Sequence, residues 1–422
     1  MTTFALVVFW SSAASIAFTL AGFPLLLWLR SKLLRREFRR GDGTPSLSVV
    51  VACYNEERHI GGRIENLLAS DYPADKLEIL VASDGSTDRT DDIVREFGRD
   101  NVRLVRVARG GKGQALNVAV REARGEVLVF SDANTEFGAD ALKQLASFFD
   151  DPTVGGVAGH QVYLRDGERS LSADGECLHW NLDSWQKRMQ SDAGSVTSAT
   201  GAIYAIRASC YDAVPTNVMD DFYISTGVIA RGLRLAFTSD ARAYEPVATK
   251  DGIEFRRKVR VSTQGLRAVW ARRSLLNPLR YGWYSIQVLT HKVLRRLLVF
   301  PLLAMALSAC SLAPTHPIYL AVVVGTLGLA ALAGVAHLLR GTRLGQKKCF
   351  TIPHFFFMTQ VAMFLAALRT FRGEGLKLWE PERHALASPA SESSAAQADS
   401  PTVEPTVPPA ATESASLEEC RT

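Results

Sequence analysis

The chain has 422 residues, 47% of them hydrophobic and 22% charged, enough for a large core or for two domains. Its 48 basic and 43 acidic residues leave a net charge of +5, and no basic stripe is interleaved with aromatics, which argues against nucleic acid as a partner. The six cysteines include no C-x-x-C spacing, so they read as scattered thiols of a reducing compartment, with neither a disulfide framework nor a cysteine metal site.

Apolar residues gather at the two ends of the chain. Phe4–Leu29 carries no charge and exceeds the roughly 20 residues that cross a bilayer. No basic residue precedes it and no small-residue cleavage site ends it, which favours a retained helix over a signal peptide. Arg30, Lys32, Arg35, Arg36, Arg39 and Arg40 follow, and the positive-inside rule puts the next segment in the cytoplasm. That segment alternates. Ser46–Tyr54, Leu77–Ala82, Val102–Val107 and Val127–Phe130 read as strands. Arg58–Ala69, Thr90–Phe97, Gln114–Arg124 and Ala139–Phe149 read as the helices between them. Such alternation predicts right-handed βαβ units and a parallel sheet. Val154–Tyr163 and Ala202–Ile206 are later strand candidates, and Leu171–Gln190 reads as a helix.

Glu254–Arg273 is strongly basic and its apolar residues are discontinuous, as in a helix lying in the membrane interface. Tyr281–Val293 is a second candidate of that kind. Leu297–Leu312, Ile318–Leu339 and the shorter Phe355–Leu368 are candidate membrane segments. The third conflicts with its flanks: a full crossing puts the C-terminus outside, whereas Arg369, Arg372 and Lys377 argue for inside. From Ser388 the composition is that of a disordered Ser/Ala/Pro/Glu-rich tail. The divisions expected are therefore 1–30 (membrane helix), 31–252 (cytoplasmic α/β domain), 253–295 (interface helices), 296–372 (membrane segments) and 373–422 (C-terminal segment with the tail).

Four acidic positions stand out in the α/β stretch. Asp84 and Asp132 follow apolar strand candidates, where carboxylates reach the ligand crevice of a parallel sheet. In Ser83-Asp84-Gly85-Ser86-Thr87-Asp88 the Asp suits acceptance from a nucleobase N–H, although Asp-Gly-Ser is also an ordinary turn with a helix cap. Tyr54 and Glu56 end the first strand and suit base stacking and a ribose contact, or simply a polar loop. Lys112, within Gly110-Gly111-Lys112-Gly113-Gln114-Ala115-Leu116-Asn117, opens a helix and suits a diphosphate, with a solvated loop lysine as the alternative. The glycine spacing there is neither a P-loop nor a dinucleotide fingerprint. In Asp132-Ala133-Asn134, two oxygen side chains two residues apart suit Mg²⁺ or Mn²⁺ with substrate phosphates, or a strand-end turn. Asp220-Asp221 opens a helix over Phe222–Arg231, where acids also favour the dipole, and one of the pair suits a general base.

Together these residues resemble the membrane-embedded family-2 glycosyltransferases, the group of cellulose, chitin, hyaluronan and poly-N-acetylglucosamine synthases. The resemblance runs from about Leu20 to about Arg383. It implies an α/β GT-A domain with helical membrane segments and an inverting transfer from a nucleotide-sugar, UDP-sugar by resemblance. It gives Asp84 the nucleobase, Asp132 and Asn134 the Mg²⁺ or Mn²⁺ with the diphosphate, and Asp221, with Asp220 beside it, the base. Lys112 and Asn117 match the diphosphate-side segment, and Thr200-Gly201-Ala202-Ile203-Tyr204 the acceptor-facing strand, so Gly201 joins the site. The processive members' Q-x-x-R-W is altered here to Gln264-Gly265-Leu266-Arg267-Ala268-Val269-Trp270, and Arg257 or Arg260 is the substitute diphosphate contact.

The partners implied are the donor, a growing glycan or lipid-linked sugar as acceptor, and the bilayer of an inner or plasma membrane, crossed more than once with the catalytic domain cytoplasmic. A non-processive transferase onto a lipid-linked sugar is one rival. A non-catalytic nucleotide-sugar sensor, favoured only by Asn134, is another.

Overall fold

A computed structural model describes residues 2–165, 173–246, 251–339, 342, 344–345, 347–374 and 418–419. The expected tail and Lys377 lie outside the described residues, apart from the two-residue strand Glu418–Glu419, which pairs with residues 164–165.

Eight strands carry the α/β part: β1 (Leu47–Cys53), β2 (Leu77–Asp84), β3 (Val102–Val107), β4 (Val127–Asp132), β5 (Glu136–Phe137), β6 (Val154–Arg165), β7 (Tyr204–Arg207) and β8 (Arg234–Pro246). Their order is β3-β2-β1-β4-β7-β6-β8-β5. β3, β2, β1 and β4 are parallel, as the alternation predicts. Beyond β4 the sheet becomes mixed, correcting the all-parallel expectation: β7 runs antiparallel to both β4 and β6, and β5 antiparallel to β8.

β1 is buried at every residue because helices cover both faces of the sheet, hence its unbroken apolar run. Val49, Val51, Ile79, Val81 and Val129 face the helix Ile60–Leu68. Val50, Ala52, Leu80, Ala82, Leu128 and Phe130 face the helices Lys112–Glu122 and Asp220–Ala230. The second core also takes in Ala268, Val269, Leu275, Tyr284 and Val288, so the segment after the α/β domain packs onto it directly. A latch reinforces this contact: Arg272 pairs with Asp212 at 2.7 Å and lies 3.8 Å over the Tyr223 ring.

Among the described residues three helices are long and apolar enough to cross a membrane: Thr2–Leu33, Pro317–Leu338 and Lys348–Phe371. The first contains a π-helical turn at Phe18–Gly22. The expected span Leu297–Leu312 is shorter, Val299–Leu312, and passes only together with Trp283–Leu294, to which it is bent by 63°. The break in the membrane part thus falls here, not in the last helix. The basic helix forms over Asp251–Ala271. Lys348–Phe371 packs along it in the same sense: Lys258 meets Phe355, Ser262 meets Met363, and Arg267 donates to the Glu374 carbonyl. The last helix therefore lies against the basic helix from Phe355 to its C-terminal end, while His354 stacks on His337 of Pro317–Leu338.

Candidate active site

The sheet delivers its C-terminal strand ends to one crevice. Asp132 is the last residue of β4, and Lys112 is the first residue of Lys112–Glu122. The Lys112 Nζ donates to Asp132 Oδ1 at 2.7 Å and pairs with Asp220 Oδ2 at 3.1 Å. Burial opposes the lysine charge, but the two carboxylates and their hydrogen bonds outweigh it and hold the ammonium well above the ordinary lysine range.

Asp220 and Asp221 open Asp220–Ala230, where the positive end of the helix dipole favours them. Asp221 Oδ1 accepts from the Phe222 N–H at 2.6 Å. Burial and then the neighbouring Asp220 charge raise the Asp221 carboxyl to about 6, against the opposing pull of Lys112, Lys292 and the Phe222 amide.

Gly201 lies at the centre. A Cβ there would stand 3.6 Å from Asp132 Oδ2, 3.7 Å from Lys112 Nζ and 3.9 Å from Asp221 Oδ2. The missing side chain keeps open the space these groups share. The Tyr204 hydroxyl and the Thr200 Oγ1 are buried with no hydrogen-bond partner at this edge. Burial, then Asp220 and Asp221, push the Tyr204 phenol far up, so it stays a neutral donor.

A second group forms at the end of β2. The buried Asp84 carboxylate accepts from the Gly110 N–H at 2.7 Å and the Gly111 N–H at 2.9 Å, and pairs with Arg109. The Arg109 guanidinium also lies 3.5 Å over the Tyr54 ring. Tyr54, Asp84 and Arg109 are thus one stacked, charged group, and a flat heterocycle entering between the first two must move the third. Glu56 is buried beside it, with His59 Nδ1 at 2.8 Å.

The structure places other expected residues around these groups. Asn117 is committed to the loop before Asp220: its Oδ1 accepts from Tyr211 Oη and Val214 N, both at 2.7 Å, and its Nδ2 donates to Val214 O. Asn134 follows Asp132 in the turn toward β5. Gln264 accepts through its carbonyl from Met219 N at 3.3 Å, tying the basic helix to the acidic pair. Arg257 and Arg260 lie on that helix, and Arg267 is turned to the Glu374 carbonyl.

Two residues were not singled out from the sequence. Arg109 directly precedes Gly110-Gly111-Lys112, so its position in that loop was the available signal. Arg63 had none, because it sits inside an otherwise amphipathic helix. Its buried guanidinium donates to Ser131 Oγ at 2.9 Å and Asn66 Oδ1 at 2.6 Å beneath the end of β4. Burial lowers it to about 9, with Asp132, Glu136 and Glu245 opposing.

Asp132 and Asn134 offer hard oxygen donors, which suit Mg²⁺ or Mn²⁺ if phosphate oxygens complete the shell. Among the described residues there is no cluster of three or more His, Cys, Asp or Glu that would hold a metal unaided. The open cradle above Gly201 is consistent with a cation that arrives with its anionic ligand.

Residues 48–214 match the family described as Glycosyl transferase family 2. Among curated proteins, a beta-monoglucosyldiacylglycerol synthase from Nostoc sp. is 27% identical over 173 residues, 40% of this chain and 37% of the relative. A poly-beta-1,6-N-acetyl-D-glucosamine synthase from Staphylococcus aureus is 27% identical over 214 residues, 49% of this chain and 50% of the relative. The chain thus spans half or less of the length of these relatives. Its fold is similar to that of the mannosyltransferase PcManGT from Pyrobaculum calidifontis, solved with GDP-Man and Mn²⁺: TM-score 0.67 at 22% identity, covering 87% of this chain and 100% of that one. The strand-end carboxylates, the mixed sheet and the matched family together show that this chain carries a glycosyl transferase family 2 domain on a GT-A-like fold.

Proposed function

We propose that the protein is an inverting transferase that moves a sugar from a nucleotide-sugar, a UDP-sugar in our reading, to an acceptor hydroxyl at the membrane face. The observation that carries this is the convergence of Asp132, Lys112, Gly201 and the pair Asp220-Asp221 on one open cradle. A donor lying across β1, β2 and β4 puts its base at Tyr54 and Asp84 and its diphosphate at Lys112 and Asp132. Glu56 lies within the same loop and suits the ribose.

Mg²⁺ or Mn²⁺ held at Asp132 with Asn134 would neutralise charge on the departing nucleoside diphosphate. Lys112 adds a fixed cation on the same side. Asp221 takes the proton of the acceptor hydroxyl as its oxygen bonds to the anomeric carbon. The bond to the phosphate oxygen breaks and the nucleoside diphosphate leaves with the electron pair. One displacement with one base inverts the anomeric configuration.

The Staphylococcus relative's name points to a growing glycan as acceptor, and the Nostoc relative's to a lipid. The altered run Gln264–Trp270 and the small number of candidate crossings favour the lipid-borne, single-addition reading. We assign the α/β domain and both ends of Lys348–Phe371 to the cytoplasmic face. Three crossings then suffice: Thr2–Leu33, the bent pair Trp283–Leu312, and Pro317–Leu338. This arrangement places Arg30 to Arg40, Arg369 and Arg372 all inside, which removes the conflict at the last helix.

Three outcomes test the reading on the full chain in nanodiscs. Asp221→Asn should lower transfer by about a thousandfold while UDP affinity stays within twofold, the pattern of a group acting only in the transition state; wild-type turnover would remove Asp221 from the chemistry. Wild-type kcat/KM should fall about tenfold per unit as pH drops below about 6, because a raised carboxyl must lose its proton to serve as base; a flat profile from pH 5 to 8 would contradict that. Gly201→Ala adds a methyl at ordinary contact distance, so thermal stability should hold while transfer falls by about a hundredfold through filling of the cradle. Unaltered transfer would move the reacting atoms elsewhere.

A further inference from the structure

The acidic pair is flanked by cations that the donor reading does not use. Lys292 lies in the π-helical turn Leu289–Leu294, and Arg296 in the elbow before Val299–Leu312. The Lys292 Nζ stands 6.0 Å over the ring of Phe222, the residue after Asp221. Arg296 donates to the Lys292 carbonyl at 3.1 Å. Its guanidinium lies against Gly265, where a Cβ would come within 2.5 Å of Nη2. Gly265 follows Gln264, whose carbonyl holds Met219 just before the acidic pair. The two cations therefore approach residues 219–222 from the side of the basic helix and the elbow, whereas Lys112 reaches the pair from the β4 side.

Among the described residues neither Lys292 nor Arg296 forms an ion pair within 4.0 Å. Asp221 attracts both cations from beyond ion-pair distance, and Asp183, which also attracts Lys292, is already held by Lys187 at 2.9 Å and approached by His291 at 3.4 Å. Two partly buried cations facing one distant carboxylate between them leave positive charge in excess, which favours a further anion beside them. Their setting narrows what that is. They sit at the bend of the helix pair that together is apolar enough for a membrane. Leu289, Phe300, Leu303 and Leu307 of the same pair are exposed. An anion seated here has hydrocarbon alongside it.

We infer that Lys292 and Arg296 bind the phosphate of a membrane lipid, and that this lipid presents the accepting hydroxyl to Asp221. The inference rests on the transferase reading for the word acceptor, but the site itself is tested without turnover. Arg296 offers a planar fork suited to phosphate, and Lys292 a point charge. A phosphate between them lies across Asp221 from the donor, as a displacement by the acceptor requires. The acyl chains then run along Leu289, Phe300 and Leu303 into the bilayer.

The experiment is native mass spectrometry of the detergent-purified full chain with an equimolar pair of lipids of matched acyl chains. Phosphatidylglycerol carries the phosphate and diacylglycerol lacks it. The wild type should retain phosphatidylglycerol at least about tenfold over diacylglycerol, the value of one or two charge-assisted hydrogen bonds. Lys292→Gln with Arg296→Gln should erase the preference, and Arg296→Lys should restore part of it. UDP binding by the double variant should be unchanged, which also shows that it is folded. Arg280→Gln, at an exposed cation shortly before the bent pair, should leave retention as in wild type. Equal retention of the two lipids by the wild type, or an undiminished preference in the double variant, overturns the site. A loss of UDP binding in the folded double variant would reassign the cations to the donor diphosphate. An equal loss with Arg280→Gln would reduce the effect to bulk charge. If lipid retention behaves as expected but no nucleotide-sugar is turned over, the transferase reading fails and the lipid site stands.

Discussion

A lysine ammonium held between two carboxylates organises this molecule. Lys112 comes from the helix after β3, Asp132 from the end of β4, and Asp220 from the start of a helix nearly ninety residues further on. The triad is only partly exposed to water, so its charge-assisted hydrogen bonds are stronger than those of a surface pair. The interaction therefore fixes the relative positions of three loops that sequence separates. Around it lie Gly201, which keeps the shared space open, and Asn117, which pins the loop leading to the acidic pair. In the proposed reaction the same ion triad has a second use, since the positive charge that holds the loops together is the one assigned to the departing diphosphate.

The parallel half of the fold was legible because β1, β2 and β4 are buried on both faces and so read as unbroken apolar runs ending in polar residues. β8 was missed for the opposite reason. Its run Arg234–Pro246 is broken by Thr, Ser, Asp and Arg, and its two faces feed different cores, one through the small Ala236, Ala241 and Ala243 and the other through Leu235 and Phe237. β5 is two residues long, below any periodicity. The antiparallel insertion of β7 depends on pairing between distant segments, which local pattern does not encode. The acidic positions of the site were legible because each closes a strand or opens a helix. Arg109 and Arg63 were not, since an arginine becomes part of a site only through what the fold brings against it.

The membrane part follows from the domain rather than the reverse. Apolar residues of the basic helix and of the segment after it belong to the same core as the sheet, and Arg272 clamps this junction on Asp212. If the apolar helices cross a membrane as proposed, their depth is thereby tied to the position of Asp221. Lys348–Phe371 satisfies by itself the length and composition of a crossing, yet it packs along the basic helix from Phe355 to its C-terminal end. In the proposed arrangement packing and flanking charge outweigh length there.

The central claim is that Lys112 is shared by the acidic pair and the donor diphosphate. The most direct measurement is the affinity of UDP relative to uridine, with Mn²⁺ present, for the wild type and for Lys112→Met. The account predicts that the wild type prefers UDP strongly and that the substitution removes about ten- to a hundredfold of that preference while uridine binding is retained. An undiminished preference for UDP in a folded Lys112→Met protein would contradict it.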